Sequence, residues 1–230
     1  VRLRVVVYNV RGFRDGLDLV SRVTAHFKPD VVLLNETGSR RKLRRFAKQM
    51  DMQVAADPWP SFRRRVKDAV LVARPWRIVS HRQHRFADVR RRMYPRGALI
   101  AQIGRAGLRM WAVSVHLGLH PVERLHSVQE LSDLARGLSG PVLIGGDFNE
   151  TPDHRAVRFL GERFWDAWQL GGEVVGETFP SGDPTARIDY LFVSEGVAVE
   201  NIIVPPGRDA RLASDHLPVV AQLKLPWPEP

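Results

Sequence analysis

Val142-Leu143-Ile144-Gly145-Gly146-Asp147-Phe148-Asn149 is an apolar run that stops on an acid. Residues 142 to 144 are apolar whichever face they occupy. A strand built from them is expected to be buried on both sides, as when two sheets pack together and helices cover the outside. The same form recurs at Val5-Val6-Val7-Tyr8-Asn9, at Val31-Val32-Leu33-Leu34-Asn35-Glu36 and at Trp111-Ala112-Val113-Ser114-Val115-His116. Each run ends where a polar group begins, which predicts an α/β sandwich with a site assembled at one rim.

Outward from these stretches, β-rich runs occupy Leu3–Tyr8, Val31–Leu34, Ala69–Ala73, Ala98–Ile103, Leu108–His116, Pro141–Ile144, Ile188–Val193 and Leu217–Leu225. Between Val122 and Leu138 the apolar residues Leu125, Val128, Leu131, Leu134 and Leu138 recur at helical spacing. Two further helices are expected over Leu17–Phe27 and Lys42–Met50. The turn Gly104-Arg105-Ala106-Gly107 predicts a hairpin over Ala98–His116. No linker, low-complexity stretch or repeat at a solenoid period divides the chain, so residues 1–230 are read as a single domain.

The composition, 44% hydrophobic and 26% charged, is that of a folded domain rather than a disordered segment. No apolar run approaches the ~20 residues of a membrane-spanning helix, and a soluble protein is expected. The start, Val1-Arg2-Leu3-Arg4-Val5, lacks Met and has no signal-peptide layout. A processed or trimmed N-terminus is expected, with a cytoplasmic location favoured and export left open. Zero cysteines exclude disulfides, thiolate zinc sites and a thiol nucleophile, leaving oxygen and nitrogen ligands. A formal charge of +10 suits an anionic phosphate substrate. It also suits an Arg-rich codon usage, since Arg heavily outnumbers Lys.

The most specific segment is Gly145-Gly146-Asp147-Phe148-Asn149. In extended chain Asp147 and Asn149 project to one side and Phe148 to the core, while the glycines admit close approach of backbone or ligand. An Asx turn is the alternative. In Ser214-Asp215-His216-Leu217-Pro218 an acid and an imidazole are adjacent. They cannot share one strand face, so irregular backbone is needed for one to ligate a metal while the other addresses substrate. Asp189, in Arg187-Ile188-Asp189-Tyr190-Leu191-Phe192-Val193, opens a strand, and a buried acid there needs a partner. Holding a histidine in one tautomer is a usual task for such a carboxylate.

These stations, in this order from Asn9 to His216, resemble the endonuclease/exonuclease/phosphatase superfamily, which includes deoxyribonuclease I, abasic-site endonucleases, neutral sphingomyelinases and inositol polyphosphate 5-phosphatases. The motifs that carry the resemblance are Gly146-Asp147-Phe148-Asn149, Arg187-Ile188-Asp189-Tyr190 and Ser214-Asp215-His216-Leu217-Pro218. The resemblance implies a deoxyribonuclease-I-like four-layer α/β sandwich, two packed mixed β-sheets flanked by helices. It implies Mg²⁺, with Mn²⁺ as a substitute, held by Glu36 with Asn9 and Asp215. Asp147 would orient or deprotonate the attacking water, and Asn149 would steady water or phosphate. His216, oriented by Asp189, would contact the scissile phosphate, stabilising charge or acting as a base. His116 would be the acid for the leaving oxygen. One departure stands out: deoxyribonuclease I has Glu-Pro before the histidine strand, where this chain has Tyr94-Pro95-Arg96-Gly97. Arg96 is therefore a candidate substrate ligand in place of a carboxylate partner for His116, the alternative being a solvated hairpin charge.

The clusters Arg40-Arg41-Lys42-Leu43-Arg44-Arg45, Arg63-Arg64-Arg65 and Arg90-Arg91-Arg92 are either tracks for a nucleic-acid backbone or solvated faces. Trp59 and Trp76 are either stacking platforms or core residues. Three functions follow: a metal-dependent nuclease acting on DNA or RNA; a phosphoesterase of a phospholipid, inositol phosphate or other small phosphoester, which His116-Leu117-Gly118-Leu119 favours; and a catalytically silent basic binding module. The partner expected is an anionic phosphoester, including nucleic acid, with no stable protein partner inferred.

Overall fold

The structure, a computed structural model, describes residues 1–59, 63, 65–87, 95–173 and 176–226. Arg64, Tyr94 and the Arg90-Arg91-Arg92 cluster lie outside the described residues.

Two six-stranded mixed sheets pack face to face. The first has β1 (Arg2–Asn9), β2 (Val31–Asn35), β3 (Met52–Ala56), β4 (Ala69–Ala73), β11 (Ala198–Ile203) and β12 (Val219–Lys224), in the order β11-β12-β1-β2-β4-β3. The second has β5 (Arg77–Arg85), β6 (Gly97–Arg105), β7 (Leu108–His116), β8 (Val142–Asp147), β9 (Trp165–Asp166) and β10 (Asp189–Val193), in the order β5-β6-β7-β8-β10-β9. The parallel pairs are β1 with β2 and β7 with β8, and the other neighbours are antiparallel.

The unbroken apolar runs follow from this stacking. Along β1 and β2, Leu3, Val5, Val7, Val31 and Leu33 enter the core between the sheets. The alternate residues Val6, Tyr8, Val32 and Leu34 face outward against α1 (Leu17–His26), α2 (Arg40–Gln49) and α6 (Arg208–Ala213). The second sheet's outer face is covered by α3 (Pro121–Arg136) and α4 (Arg155–Gly161), which meet Ile100, Val113, Val115 and Ile144 through Val128, Leu131, Val157 and Leu160. Each interior strand thus has apolar contacts on both faces, and period-2 alternation is lost from the sequence. The remaining helix, α5 (Ala167–Gly171), is a single turn.

The expected hairpin joins β6 to β7 through Ala106 and Gly107, both at positive φ (47° and 85°), the backbone of a tight two-residue turn. Helix α2 starts earlier than its apolar spacing suggested, because the Ser39 hydroxyl accepts from Lys42 N at 3.3 Å and caps it. Pro121 likewise opens α3. Trp76 is buried in the inter-sheet core, so the stacking reading fails for it; Trp59 is 47% exposed. Among the described residues no helix is long and apolar enough to cross a membrane.

Gly145 and Gly146 let the sheets close over the site. A Cβ on Gly145 would press on Leu33 and Val7 from the opposite sheet, and one on Gly146 would collide with the Val115 carbonyl at a backbone φ of 153°. Gly146→Ala is expected to lower unfolding free energy by about 2–4 kcal/mol through overpacking and backbone strain. Gly161→Ala, where a Cβ meets nothing within 4 Å, should be neutral or slightly stabilising; urea denaturation of the two variants checks the contrast.

Candidate active site

Strand direction gathers the polar ends. β1 and β2 finish at the same level, with Asn9 opposite Asn35, and β7 and β8 finish together, with His116 opposite Asp147. β10 begins there, pairing Asp189 with Asp147. Beyond this level the segment 214–218 enters β12 without regular structure, as an adjacent Asp and His require.

Asp147 is the hub. Its Oδ2 accepts from Asn9 Nδ2 at 2.9 Å and lies 3.2 Å from His116 Nε2 and 3.7 Å from His216 Nε2. Its Oδ1 accepts from Asn149 N at 2.9 Å. That last bond is an Asx turn, and Asn149 has φ 50°, so the two residues do not share a face of extended chain as the spacing suggested. The turn aims Asn149 back instead: its Nδ2 donates to the Leu117 carbonyl at 3.1 Å and stands 3.3 Å from His116 Nε2. His216 Nδ1 bonds Asp189 Oδ2 at 2.8 Å, which fixes the ring.

The two histidines are driven in opposite directions. Burial lowers the His116 pKa, and the Arg96 guanidinium lowers it further, outweighing Asp147. Arg96 Nη1 lies 2.6 Å from Nδ1 and 2.8 Å from Nε2 of that ring. With Nδ1 accepting from Arg96 and Nε2–H donating to Asp147, a neutral tautomer satisfies both partners. For His216 burial also disfavours charge, but Asp189, Asp147 and Asp215 together raise its pKa to about 10. Burial, aided by Asp147, raises the Asp189 pKa against the pull of His216; with three carboxylates around one ring, the proton of the pair rests on His216. Burial also opposes ionisation of Asp147, yet the imidazoles and Asn149 N–H hold its carboxyl well below the usual range.

Six of the expected residues, Asn9, His116, Asp147, Asn149, Asp189 and His216, are therefore joined in one network, with Arg96 docked on it rather than solvated. Glu36 and Asp215 flank it. Glu36 directly follows β2 in a left-handed conformation (φ 52°), half-buried, where its charge acts on Lys67, Asp68 and His116. Asp215 Oδ2 is 3.2 Å from Arg11 Nε, an ion pair open to solvent. Among the described residues, the acid and imidazole donors that converge within 4.8 Å are those of Asp147, Asp189 and His216.

Sequence reasoning noted Asn35 only as a strand end and missed Asp68. Asn35 Nδ2 donates to Asp68 Oδ1 at 2.8 Å and to the Val115 carbonyl at 2.9 Å, while its Oδ1 accepts from Asp147 N at 2.9 Å. Burial raises the Asp68 pKa to about 8, and its Oδ2 has no hydrogen-bond partner. Arg124 and Glu150 were also missed. Their buried pair, at 3.3 Å, links α3 to the Asp147 loop, and Arg124 Nη1 donates to the Leu119 carbonyl at 2.7 Å. Nothing in a helix-spaced Arg or a turn Glu marks such a tie.

The endonuclease/exonuclease/phosphatase family model matches residues 6–216, which span every group in this network. The chain belongs to the Endonuclease/Exonuclease/phosphatase family. Members of this family are hydrolases of phosphoester bonds and are generally dependent on a divalent metal. No curated protein matches the chain. Solved structures do. A family protein from Bacteroides vulgatus superposes with a TM-score of 0.86 at 18% identity, covering 98% of this chain and 100% of its own. The Bacteroides thetaiotaomicron mannosyl-6-phosphatase superposes at 0.79 and 19%, covering 97% and 100%. D. rerio TDP2, solved with a single-strand DNA product, superposes at 0.77 and 18%, covering 97% and 99%. At such identities the likeness is one of fold, the deoxyribonuclease-I-like arrangement of two packed mixed sheets flanked by helices.

Replacing Asp189 by Asn removes the nearest carboxylate from His216. The ring pKa, followed by histidine NMR titration, is expected to fall from about 10 by more than one unit toward the ordinary ~6.5. An unmoved titration would show that Asp189 does not hold the charge.

Proposed function

We propose that this chain is a Mg²⁺-dependent phosphodiesterase that cuts a nucleic-acid strand, DNA or RNA, with residues 1–230 acting as one catalytic unit. β1 and β12, from opposite ends of the chain, lie side by side beneath the site, which supports a single unit. The observation that carries the reading is the buried series His116, Asp147, His216, Asp189, in which one carboxylate stands between two imidazoles and a second carboxylate backs one of them.

Asp147, ionised and fixed by Asn9 and Asn149, is the group suited to orient the attacking water by accepting its hydrogen bond, its depressed pKa making it a weak base. Asn149 steadies the water or the phosphate. His216, carrying a proton held by Asp189, faces developing negative charge and supplies a proton to the leaving oxygen. The expectation that His116 is that acid fits less well, because burial and Arg96 favour its neutral form. His116 instead donates to Asp147, and Arg96 supplies a fixed positive charge for a non-bridging oxygen.

Glu36, Asn9 and Asp215 are the residues that would hold Mg²⁺, or Mn²⁺ in its place. They offer the hard oxygen donors that the ion takes, with Glu36 half-buried just past β2 and the Asp215 carboxylate open to solvent. Asp215 would exchange Arg11 for the ion. When bound, the ion neutralises phosphate charge and acidifies water.

A nucleic-acid substrate is supported by the charge of +10 and by the likeness to a protein solved with single-strand DNA product. A second reading, a small phosphomonoester or a lipid or inositol phosphate, is favoured by Arg96, whose fixed guanidinium beside His116 suits a dianion, and by the likeness to a mannosyl-6-phosphatase.

Turnover of bis(p-nitrophenyl) phosphate, p-nitrophenyl phosphate and DNA should require Mg²⁺ or Mn²⁺, stop in EDTA and fall by roughly 10²–10⁴ in Asp147→Asn. Activity confined to the monoester would select the second reading. No turnover of any substrate with either metal would leave a silent binding module and overturn the enzyme.

A further inference from the structure

Helix α2 contains no acid: Arg40-Arg41-Lys42-Leu43-Arg44-Arg45-Phe46-Ala47-Lys48-Gln49. Cations in a first turn oppose the helix dipole, so helix stability does not account for them. Leu43, Phe46 and Ala47 are buried against the first sheet. Three of the cations have structural partners. Arg40 Nη2 donates to the carbonyls of Asp57 and Trp59 at 3.1 and 2.7 Å, Lys42 Nζ to those of Gly12 and Phe13 at 2.9 and 3.1 Å, and Arg45 pairs with Asp18 at 3.0 Å.

Arg41, Arg44 and Lys48 remain. They are exposed, their side chains make no hydrogen bond or ion pair among the described residues, and they stand at i, i+3 and i+7, on one helix face over about 10 Å. Some other surface cations do have an acid partner, as with Arg2 and Glu200 or Arg136 and Asp133. The helix begins two residues past Gly38, on the loop that leaves Glu36, so the stripe leads away from the strand end that carries Glu36. At its upper end the backbone of Trp59 is pinned, its N–H to Asp57 Oδ1 at 2.8 Å and its carbonyl to Arg40, while the residue is 47% exposed.

We infer that Arg41, Arg44 and Lys48, with Trp59 above them, form a docking track for one nucleic-acid strand running outward from the active site. Phosphates lie along the cations and a base stacks on the indole. A lipid surface fits less well, because every apolar side chain of α2 faces the core, whereas a helix lying on a membrane keeps an apolar face for the acyl boundary.

The inference rests on the nuclease reading for its strand, and binding separates the two. Affinity of the whole chain for a labelled single-stranded oligonucleotide is measured in EDTA across a salt series, for the native chain, for Arg41→Gln/Arg44→Gln/Lys48→Gln together, and for Trp59→Ala. The triple variant is expected to bind at least about tenfold more weakly. Its slope of log K against log salt should be shallower by about 2, at ~0.7 counterion per single-strand phosphate. Turnover of bis(p-nitrophenyl) phosphate should stay within about twofold, as none of the three reaches the site. Trp59→Ala should weaken binding with the slope unchanged. Equal affinity and slope in the native and triple-variant chains would overturn the track, as would loss of binding to phosphatidylglycerol vesicles in the triple variant without binding of the oligonucleotide to the native chain. Should the native chain hydrolyse no phosphoester while oligonucleotide binding still depends on the stripe, the proposed catalysis fails and the track stands.

Discussion

The side chain of Asn35 holds the two sheets together at the rim. It sits at the end of β2, fully buried, and its amide spans the gap between the sheets. It donates to Val115 at the end of β7 and accepts from Asp147 N at the end of β8. Below the rim the interface is an apolar cluster, and apolar contact is strong but non-directional. A buried amide is directional, and leaving one of its groups unpaired is costly. Asn9 to Asp147 and His216 to Asp189 cross the same seam. Each bond of the candidate site that joins the sheets therefore also fixes their relative position, and a slip of one sheet would separate an imidazole from its carboxylate.

What was legible in the sequence follows from the same stacking. The eight runs recognised as strands are the interior ones, apolar on both faces, such as β1 at Val5-Val6-Val7. Those not recognised, β3, β5, β9 and β11, are the four sheet edges. β5 reads Arg77-Ile78-Val79-Ser80-His81-Arg82-Gln83-His84-Arg85 and is largely exposed, as charged edges that resist further pairing tend to be. The short α4, α5 and α6 were missed because one or two turns do not establish a period. At the site, strand ends were readable because a polar residue closing an apolar run is conspicuous. Directions were not. Asn149 is itself left-handed and turns back, and Arg96 folds onto His116 from the residue just before β6, which gives no sign of it.

The electrostatic asymmetry of the two histidines arises from their second partners. Both rings are buried and both approach Asp147, so burial and that carboxylate cannot distinguish them. His216 has Asp189 on its other nitrogen, whereas His116 has a guanidinium. The first arrangement makes the ring a reservoir for a proton; the second moves the positive charge from a titrating ring to a group that does not titrate. Positive charge at the His116 side of the site is thereby carried by a group that does not titrate, and at the His216 side by a ring whose pKa, raised to about 10, keeps its proton through neutral pH.

This division also bears on where substrate choice resides. Asp147, Asn149 and His216 are suited to a phosphate and a water, which all phosphoesters share, so they discriminate little among substrates. On the proposed reading, groups that differ from one phosphoester to another are met above or beside the rim, where Arg11, Lys67, Arg96, Trp59 and the outer face of α2 stand. These residues are attached to loops and to a helix whose backbones are held by the core, through Arg40, Lys42 and Arg124, rather than by the catalytic network. Apart from Arg96, which meets His116, and the Arg11 backbone N–H, which meets Asn9 Oδ1 at 3.1 Å, the seam's hydrogen bonds run among Asn9, Asn35, Asp147, Asp189 and His216, so substitution of the outer side chains is expected to leave the seam that holds Asp147 in place.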